Sequence, residues 1–187
     1  MTRTIVGLSG NLDRPSKTRA LVQTAVATAA SKFEAVGTVL DLTDFGPGLG
    51  AARQPGDLDP NGRAALDTLL AADALIVASP VYKGSYTGLF KHLIDLIDPQ
   101  AFQGKPVLLA ATGGGDRHAL VIEHQLRPLF GFFEARTLPT GVYAADRDFV
   151  AGQPASDTLH TRLGRAVDQF ALFFDRRSQP EVFVLSA

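Results

Sequence analysis

A chain of 187 residues, 45% hydrophobic and 20% charged, has the size and composition of one compact domain with a real core, and its formal charge of −1 offers nucleic-acid phosphates or anionic lipid no general attraction. There is no cysteine, which excludes disulfides, thiolate nucleophiles and cysteine metal sites together and favours a cytoplasmic setting. The N-terminus MTRTIVGLSG lacks the apolar core and cleavage site of a signal peptide, and no segment reaches the roughly 18 apolar residues of a membrane span, so a soluble protein with no membrane and no nucleic-acid partner is expected.

Thr4–Leu8 reads as a short buried strand, after which Leu21, Val22, Ala25, Val26, Ala29 and Phe33 recur at helical spacing. Val36–Leu42 is a second strand. Residues 45–62, FGPGLGAARQPGDLDPNG, are too rich in Gly and Pro for long regular structure and read as a surface excursion rather than a domain linker. Asp59-Pro60, a cap followed by proline at the first helical position, starts a helix carrying Ala65, Leu66, Leu69 and Leu70. Ala74–Ser79 is the third strand. A helix through Leu89, Phe90, Leu93, Ile94 and Ile97 follows and is stopped by Asp98-Pro99. The run PVLLAAT, residues 106–112, is a fourth strand, apolar enough to be buried on both faces. A long helix around His118–Ala135, a strand over Thr137–Tyr143 and a helix over Asp157–Phe174 complete five βα units. Such alternation specifies a parallel sheet covered by helices on both faces, whose ligands sit beyond the carboxyl ends of the strands where the strand order reverses. Residues 1–175 are read as the single domain and 176–187 as a C-terminal tail.

Three loops, 9–18, 79–88 and 112–118, therefore gather at the expected site. The first, SGNLDRPSKTR, sets hydroxyls and basic side chains just before a helix N-terminus, where free amides and the helix dipole favour an anion. It is neither G-x-G-x-x-G nor a P-loop, so a monophosphate fits better than a dinucleotide. The same residues also suit a plain helix cap by Ser16 or Thr18 with solvated cations, and from spacing alone both readings stand. The third loop, ATGGGDRH, is either a permissive turn or a wall that lets a planar ligand approach the backbone. Facing it, Pro80-Val81-Tyr82-Lys83-Gly84 makes a second wall whose backbone amides are expected to point at the ligand. The slot and cradle together have the shape of flavin mononucleotide (FMN). Lys83 either stabilises negative charge on a bound flavin or nucleotide, or is solvated. His118 and His124 are six residues apart with no acidic partner in a metal-binding pattern, so no metal is expected.

The helix after ATGGG has a built-in fault. Pro128 cannot donate to the carbonyl of His124 four residues earlier, so the helix must adjust, by a π-type bulge or by a proline kink. Its apolar residues also exceed one face. Ile122, Leu126, Leu129, Phe130 and Phe133 form one stripe, while Val121 and Phe132 lie on another that needs a partner.

The succession SGNLDRPSKT, then SPVYKGSYTGLFKHLIDLI, then ATGGG followed by RHALVIEHQLRP resembles the NADPH-dependent FMN reductase family from about Ile5 to Tyr143. Within it, the resemblance is to two-component reductases that serve alkanesulfonate and methanesulfonate monooxygenases. It implies a flavodoxin-like fold, an α/β doubly wound five-stranded parallel sheet of order 2-1-3-4-5. It also implies an NAD(P)H-dependent flavin reductase that hands reduced FMN to a monooxygenase. By this resemblance Ser9, Arg14, Ser16, Lys17 and Thr18 match the positions that hold the FMN phosphate. Pro80, Val81, Tyr82 and Lys83 match the loop along the isoalloxazine, and Thr112, Gly113 and Gly114 the wall across from it. Hydride passes from NADPH or NADH to the flavin, so no side-chain nucleophile is required and the protein supplies orientation and electrostatics. The subgroup is similar in carrying Tyr or His at a π-bulge in a tetramer interface, which places His124 there and makes a tetramer the first expectation and a dimer the second. Val81-Tyr82-Lys83 stands where azo- and quinone-reductase relatives have Glu-Tyr-Asn, which favours the sulfonate subgroup. An FMN-containing quinone or azo-compound reductase and a flavodoxin-like electron carrier are the alternatives, and loops of mixed to basic charge favour the enzyme over the carrier.

Overall fold

A computed structural model describes residues 2–174, so the tail assigned to 176–187 lies outside the described residues. In chain order the elements are β1 (Thr4–Ser9), α1 (Lys17–Phe33), β2 (Val36–Asp41), α2 (Pro60–Ala71), β3 (Ala74–Pro80), α3 (Gly88–Asp95) and β4 (Pro106–Gly113). A π-helical segment, Ile122–Leu126, then runs into α4 (Arg127–Phe132), followed by β5 (Arg136–Thr137), β6 (Val142–Ala145), β7 (Phe149–Val150), β8 (Gln153–Pro154), α5 (Asp157–Asp168) and α6 (Ala171–Phe174). The main sheet is parallel in the order β2-β1-β3-β4-β5, with β6 also pairing to β4, and the order reverses between β1 and β3. This is the flavodoxin-like arrangement.

Alternation along the central strands decides which helix covers which face. Ile5, Ile76 and Leu108 pack with Leu21, Val22 and Val26 of α1 and Leu159 and Leu163 of α5. Their neighbours Val6, Leu75, Val77, Val107 and Leu109 pack instead with Leu66 and Leu69 of α2, Phe90 and Leu93 of α3, and Ile122, Leu126 and Phe130 beyond β4. Gly7 lets α1 lie directly on β1, because a Cβ there would overlap the side chains of Val22 and Val26.

Three sequence expectations are refined, and one element is added. The fifth strand, expected unbroken over Thr137–Tyr143, is two short pieces, since Pro139 in the gap has no amide to give a ladder. The excursion at 45–62 is not purely superficial: its three 3-10 turns carry Phe45, Leu49, Ala52 and Leu58 into the core beneath α2 and α3. The hairpin β7-β8 was not foreseen, its strands being two residues each and thus too short for a period. The long helix expected from His118 begins only at residue 121, after a separate 3-10 turn at Asp116–His118, and is π-helical from Ile122 to Leu126. There the Arg127 amide donates to the Ile122 carbonyl five residues back, so the adjustment just ahead of Pro128 takes the form of a π turn.

Candidate active site

The strand register brings Ser9 level with Ala78, Pro80 with Thr112 and Gly113 with Ala145, so the loops leaving β1, β3, β4 and β6 emerge at one edge beside the reversal of strand order. Between them lies a cleft of about 330 Å³. Its floor and sides are Asn11, Leu12, Asp13, Pro15, Ser16, Lys17 and Thr18 from the first loop, Pro80, Val81 and Tyr82 from the second, Thr112, Gly113 and Gly114 from the third, and Asp146 after β6.

The first loop is fixed from within. Gly10 donates its amide to the Ala78 carbonyl at 2.7 Å and accepts the Thr87 hydroxyl at 2.9 Å, which ties it to the second loop. Asn11, almost wholly buried, accepts the Ser9 hydroxyl at 2.5 Å and donates to the Asp13 carbonyl at 2.9 Å. The chain then enters α1 with Ser16 extended at the cap position, its hydroxyl accepting the Arg19 amide at 3.3 Å. Both readings left open by spacing thus use the same residue: Ser16 caps the helix and also faces the cleft, beside first-turn amides directed out of the helix. Thr18 and Thr112 join hydroxyls at 2.6 Å, both buried, and lock the start of α1 to the end of β4.

The second loop is a miniature hairpin. Tyr82 and Ser85 exchange backbone hydrogen bonds of 2.9 and 3.2 Å, and Lys83 and Gly84 at the tip have φ of 53° and 87°. Two positive φ values are what a tight hairpin turn of matching twist demands, and glycine supplies one of them without strain. The expectation that this corner aims its amides at a ligand needs correcting: Val81 donates to the Thr112 carbonyl at 2.8 Å and Tyr82 to Ser85, so those two amides hold the loop itself. The loop presents side chains and its edge to the cleft. Ser85 also donates to Gln125 of the π segment at 3.1 Å.

The glycine wall is shaped by Tyr143. Its hydroxyl donates to the Gly115 carbonyl at 2.6 Å, and a Cβ at Gly113 would lie 2.5 Å from that oxygen. At Gly114 a Cβ would meet only Asp146, at 3.9 Å, and at Gly115 nothing within 4 Å, so this stretch of backbone is open to a flat ligand. Burial, with the nearby charge of Asp116, pushes the Tyr143 phenol above its usual range, so it stays a donor at neutral pH.

Charge is distributed differently from the expectation. Arg14 donates from Nε and one terminal nitrogen to Asp41 at 2.6 and 2.9 Å and to Asp44 at 2.8 Å, while Arg19 reaches Asp41 at 2.9 Å. Burial pushes the Asp41 carboxyl up, but hydrogen bonds from Arg14 and Thr43 and the charge of Arg19 outweigh it and hold the group below its ordinary range. Among the described residues the charged groups of the lining are Asp13, Lys17 and Asp146, and Lys17 Nζ is itself 2.8 Å from Asp146. The cleft is thus not basic, although its loops are.

Of the residues singled out from sequence, Ser16, Lys17, Thr18, Pro80, Val81, Tyr82, Thr112, Gly113 and Gly114 come together on this lining. Three fall outside it. Ser9 is fully buried and serves Asn11, Arg14 is turned to Asp41 and Asp44, and Lys83 stands exposed at the hairpin tip. Asp146 was missed; the acidic run Asp146-Arg147-Asp148 at the end of the last strand was the available signal, since that end shares the same edge. His124 lies exposed within the π segment, outside the cleft lining. No cluster of three or more His, Cys, Asp or Glu is placed to hold a metal, and no helix is long and apolar enough to cross a membrane, among the described residues.

A doubly wound parallel sheet whose switch-point cleft joins a helix N-terminus to a glycine wall defines a flavodoxin-like protein, a class whose ligands bind beyond the carboxyl ends of the strands. Residues 3–149 match the NADPH-dependent FMN reductase family, and the chain belongs to it. It is 47% identical over 175 residues to the FMN reductase (NADPH) of Pseudomonas aeruginosa, covering 94% of each chain. It is likewise 47% identical over 176 residues to the NADH-dependent FMN reductase SfnF of Pseudomonas fluorescens, again covering 94% of each. Among solved structures, the apo form of the NADH:FMN oxidoreductase EmoB superposes with a TM-score of 0.83 at 31% identity, over 96% of this chain and 92% of that one. The chain is accordingly an oxidoreductase of FMN and a nicotinamide nucleotide.

Proposed function

We propose that the protein reduces FMN in the cleft at the switch point and supplies the product to an FMNH2-dependent monooxygenase of sulfonate breakdown. The carrying observation is the cleft's two-ended build, with Ser16, Lys17 and Thr18 at the α1 terminus on one side and open glycine backbone facing Pro80–Tyr82 on the other. FMN held by these residues would supply hydride-accepting chemistry toward a nicotinamide nucleotide. The chain's own residues bind and orient: Ser16 and the first-turn amides take the phosphate, the Thr18–Thr112 pair keeps that end level with the wall, and Tyr143 holds the wall in place. The corner Val81-Tyr82-Lys83 supports the sulfonate assignment over azo- and quinone-reductase chemistry. His124, exposed on the π segment, is assigned together with the exposed Leu120 and Phe132 to an interface between copies, with a tetramer as the assembly.

Steady-state rates with NADPH and NADH against FMN, FAD, riboflavin, a quinone and an azo dye test the activity; a preference for quinone or dye over every flavin would reverse it. Ser16→Ala should raise the KM for FMN by about tenfold and that for riboflavin less than twofold, since a hydrogen bond to a charged group contributes about 1.5–3 kcal/mol. Equal losses for both flavins would remove the phosphate assignment. Lys83→Ala, at the exposed hairpin tip, should raise the KM for the nicotinamide nucleotide about two- to fivefold with the melting temperature unchanged, the size of an exposed charge interaction. Identical nucleotide kinetics would return Lys83 to solvent.

A further inference from the structure

The cation closest to the proposed phosphate position already has an anion. Lys17 Nζ lies 2.8 Å from Asp146 Oδ1, and both residues line the cleft. The carboxylate comes from the opposite side, at the start of the turn after β6, and its other oxygen lies 3.9 Å from where a Cβ of Gly114 would stand. It therefore occupies the junction between the phosphate end and the glycine wall. The other cations of the first loop offer no substitute, because Arg14 and Arg19 are held outside the lining by Asp41 and Asp44. Asp13 adds a second carboxylate to the lining. Arg147, next to Asp146, does not offset it, since its guanidinium is paired with Asp116 at 2.6 Å.

A flavin phosphate arriving at Ser16–Thr18 brings about two negative charges to a site with one ammonium and a carboxylate already on it. Like charges at such distances oppose each other, and the ammonium cannot serve both anions at full strength. Resting on the proposed phosphate site, we propose that Asp146 is an affinity-limiting residue: it competes with the phosphate of FMN for Lys17 and keeps the flavin exchangeable, as suits a flavin that leaves once reduced. The competition acts on the phosphate alone, so riboflavin is indifferent to it. That selectivity separates the role from a structural one, and with Asp146 side chain 62% exposed its replacement leaves the fold standing.

The test is equilibrium binding by flavin fluorescence, with FMN and riboflavin each titrated into the wild type, Asp146→Asn, Lys17→Met and the double variant. Asp146→Asn is expected to tighten FMN about three- to tenfold, the scale of a partly exposed charge pair plus relief of repulsion, and to leave riboflavin within twofold. In the Lys17→Met background the gain should shrink, because no ammonium is there to be released. Asp146→Glu should retain wild-type affinity. FMN binding unchanged or weakened in Asp146→Asn, with wild type still preferring FMN to riboflavin, overturns the role of Asp146 alone. Equal wild-type affinity for FMN and riboflavin removes the phosphate site and this inference with it.

Discussion

Gly113→Ala should weaken FMN binding by about tenfold or more, and removing one oxygen atom elsewhere should undo much of the loss. The added Cβ would stand 2.5 Å from the Tyr143 hydroxyl oxygen but 3.5 Å from the ring carbon that carries it. Only the first distance is intolerable. Tyr143 cannot swing away freely, since its hydroxyl is bound to the Gly115 carbonyl at 2.6 Å, and β4 cannot retreat because it is hydrogen-bonded on both sides. Strain of this kind costs about 1–3 kcal/mol, and 1.4 kcal/mol is a tenfold change in affinity. It falls on the Gly113–Gly115 backbone, the proposed flavin wall. Tyr143→Phe alone should loosen the wall mildly by freeing Gly115, whereas Tyr143→Phe on top of Gly113→Ala should recover most of the lost FMN affinity. Flavin titrations of the three variants check this. Additive losses in the double variant would mean that the wall is not set by this contact.

The second large effect is on stability. Asp41, fully buried at the end of β2, accepts Arg14, Arg19 and both the amide and the hydroxyl of Thr43. It thereby anchors the first loop and the first turn of α1 to the neighbouring strand. Asp41→Ala leaves these donors without their acceptor; removing one partner of a buried pair typically costs 3–5 kcal/mol, and the lower figure applies because Arg14 can still reach solvent and Asp44. About 3 kcal/mol corresponds to a melting temperature lower by roughly 6–12 °C for a chain of this size. The acid dependence has a definite sign. A carboxyl whose pKa is depressed on folding contributes stability above its unfolded pKa of about 3.9 and loses it as the pH falls through the folded value. Wild type should therefore exceed Asp41→Ala at pH 7 by the full amount, and the two curves should converge below about pH 4. Melting both proteins at pH 7 and at acid pH measures it; a constant gap across that range would show that packing, not charge, carries the effect.

The sequence by itself determined what depends on neighbours along the chain. Continuous apolar runs such as Ala74–Ser79 and PVLLAAT can be buried only as inner parallel strands, and Asp59-Pro60 starts α2 because a capping carboxylate and a residue with no amide meet the first helical turn's needs. The missing donor of Pro128 forced an adjustment that a local count of hydrogen bonds could locate within a turn. Tertiary structure decided what depends on residues far apart. Whether Arg14 faces a phosphate or a carboxylate rests on Asp41, 27 residues away, and whether Lys17 is free rests on Asp146, 129 residues away. A basic loop in sequence became a cleft lined by two carboxylates and one ammonium, because charge pairing follows the spatial meeting of loops. Tyr143 likewise shapes the glycine wall only because β6 pairs beside β4, a register that no periodicity within either strand encodes.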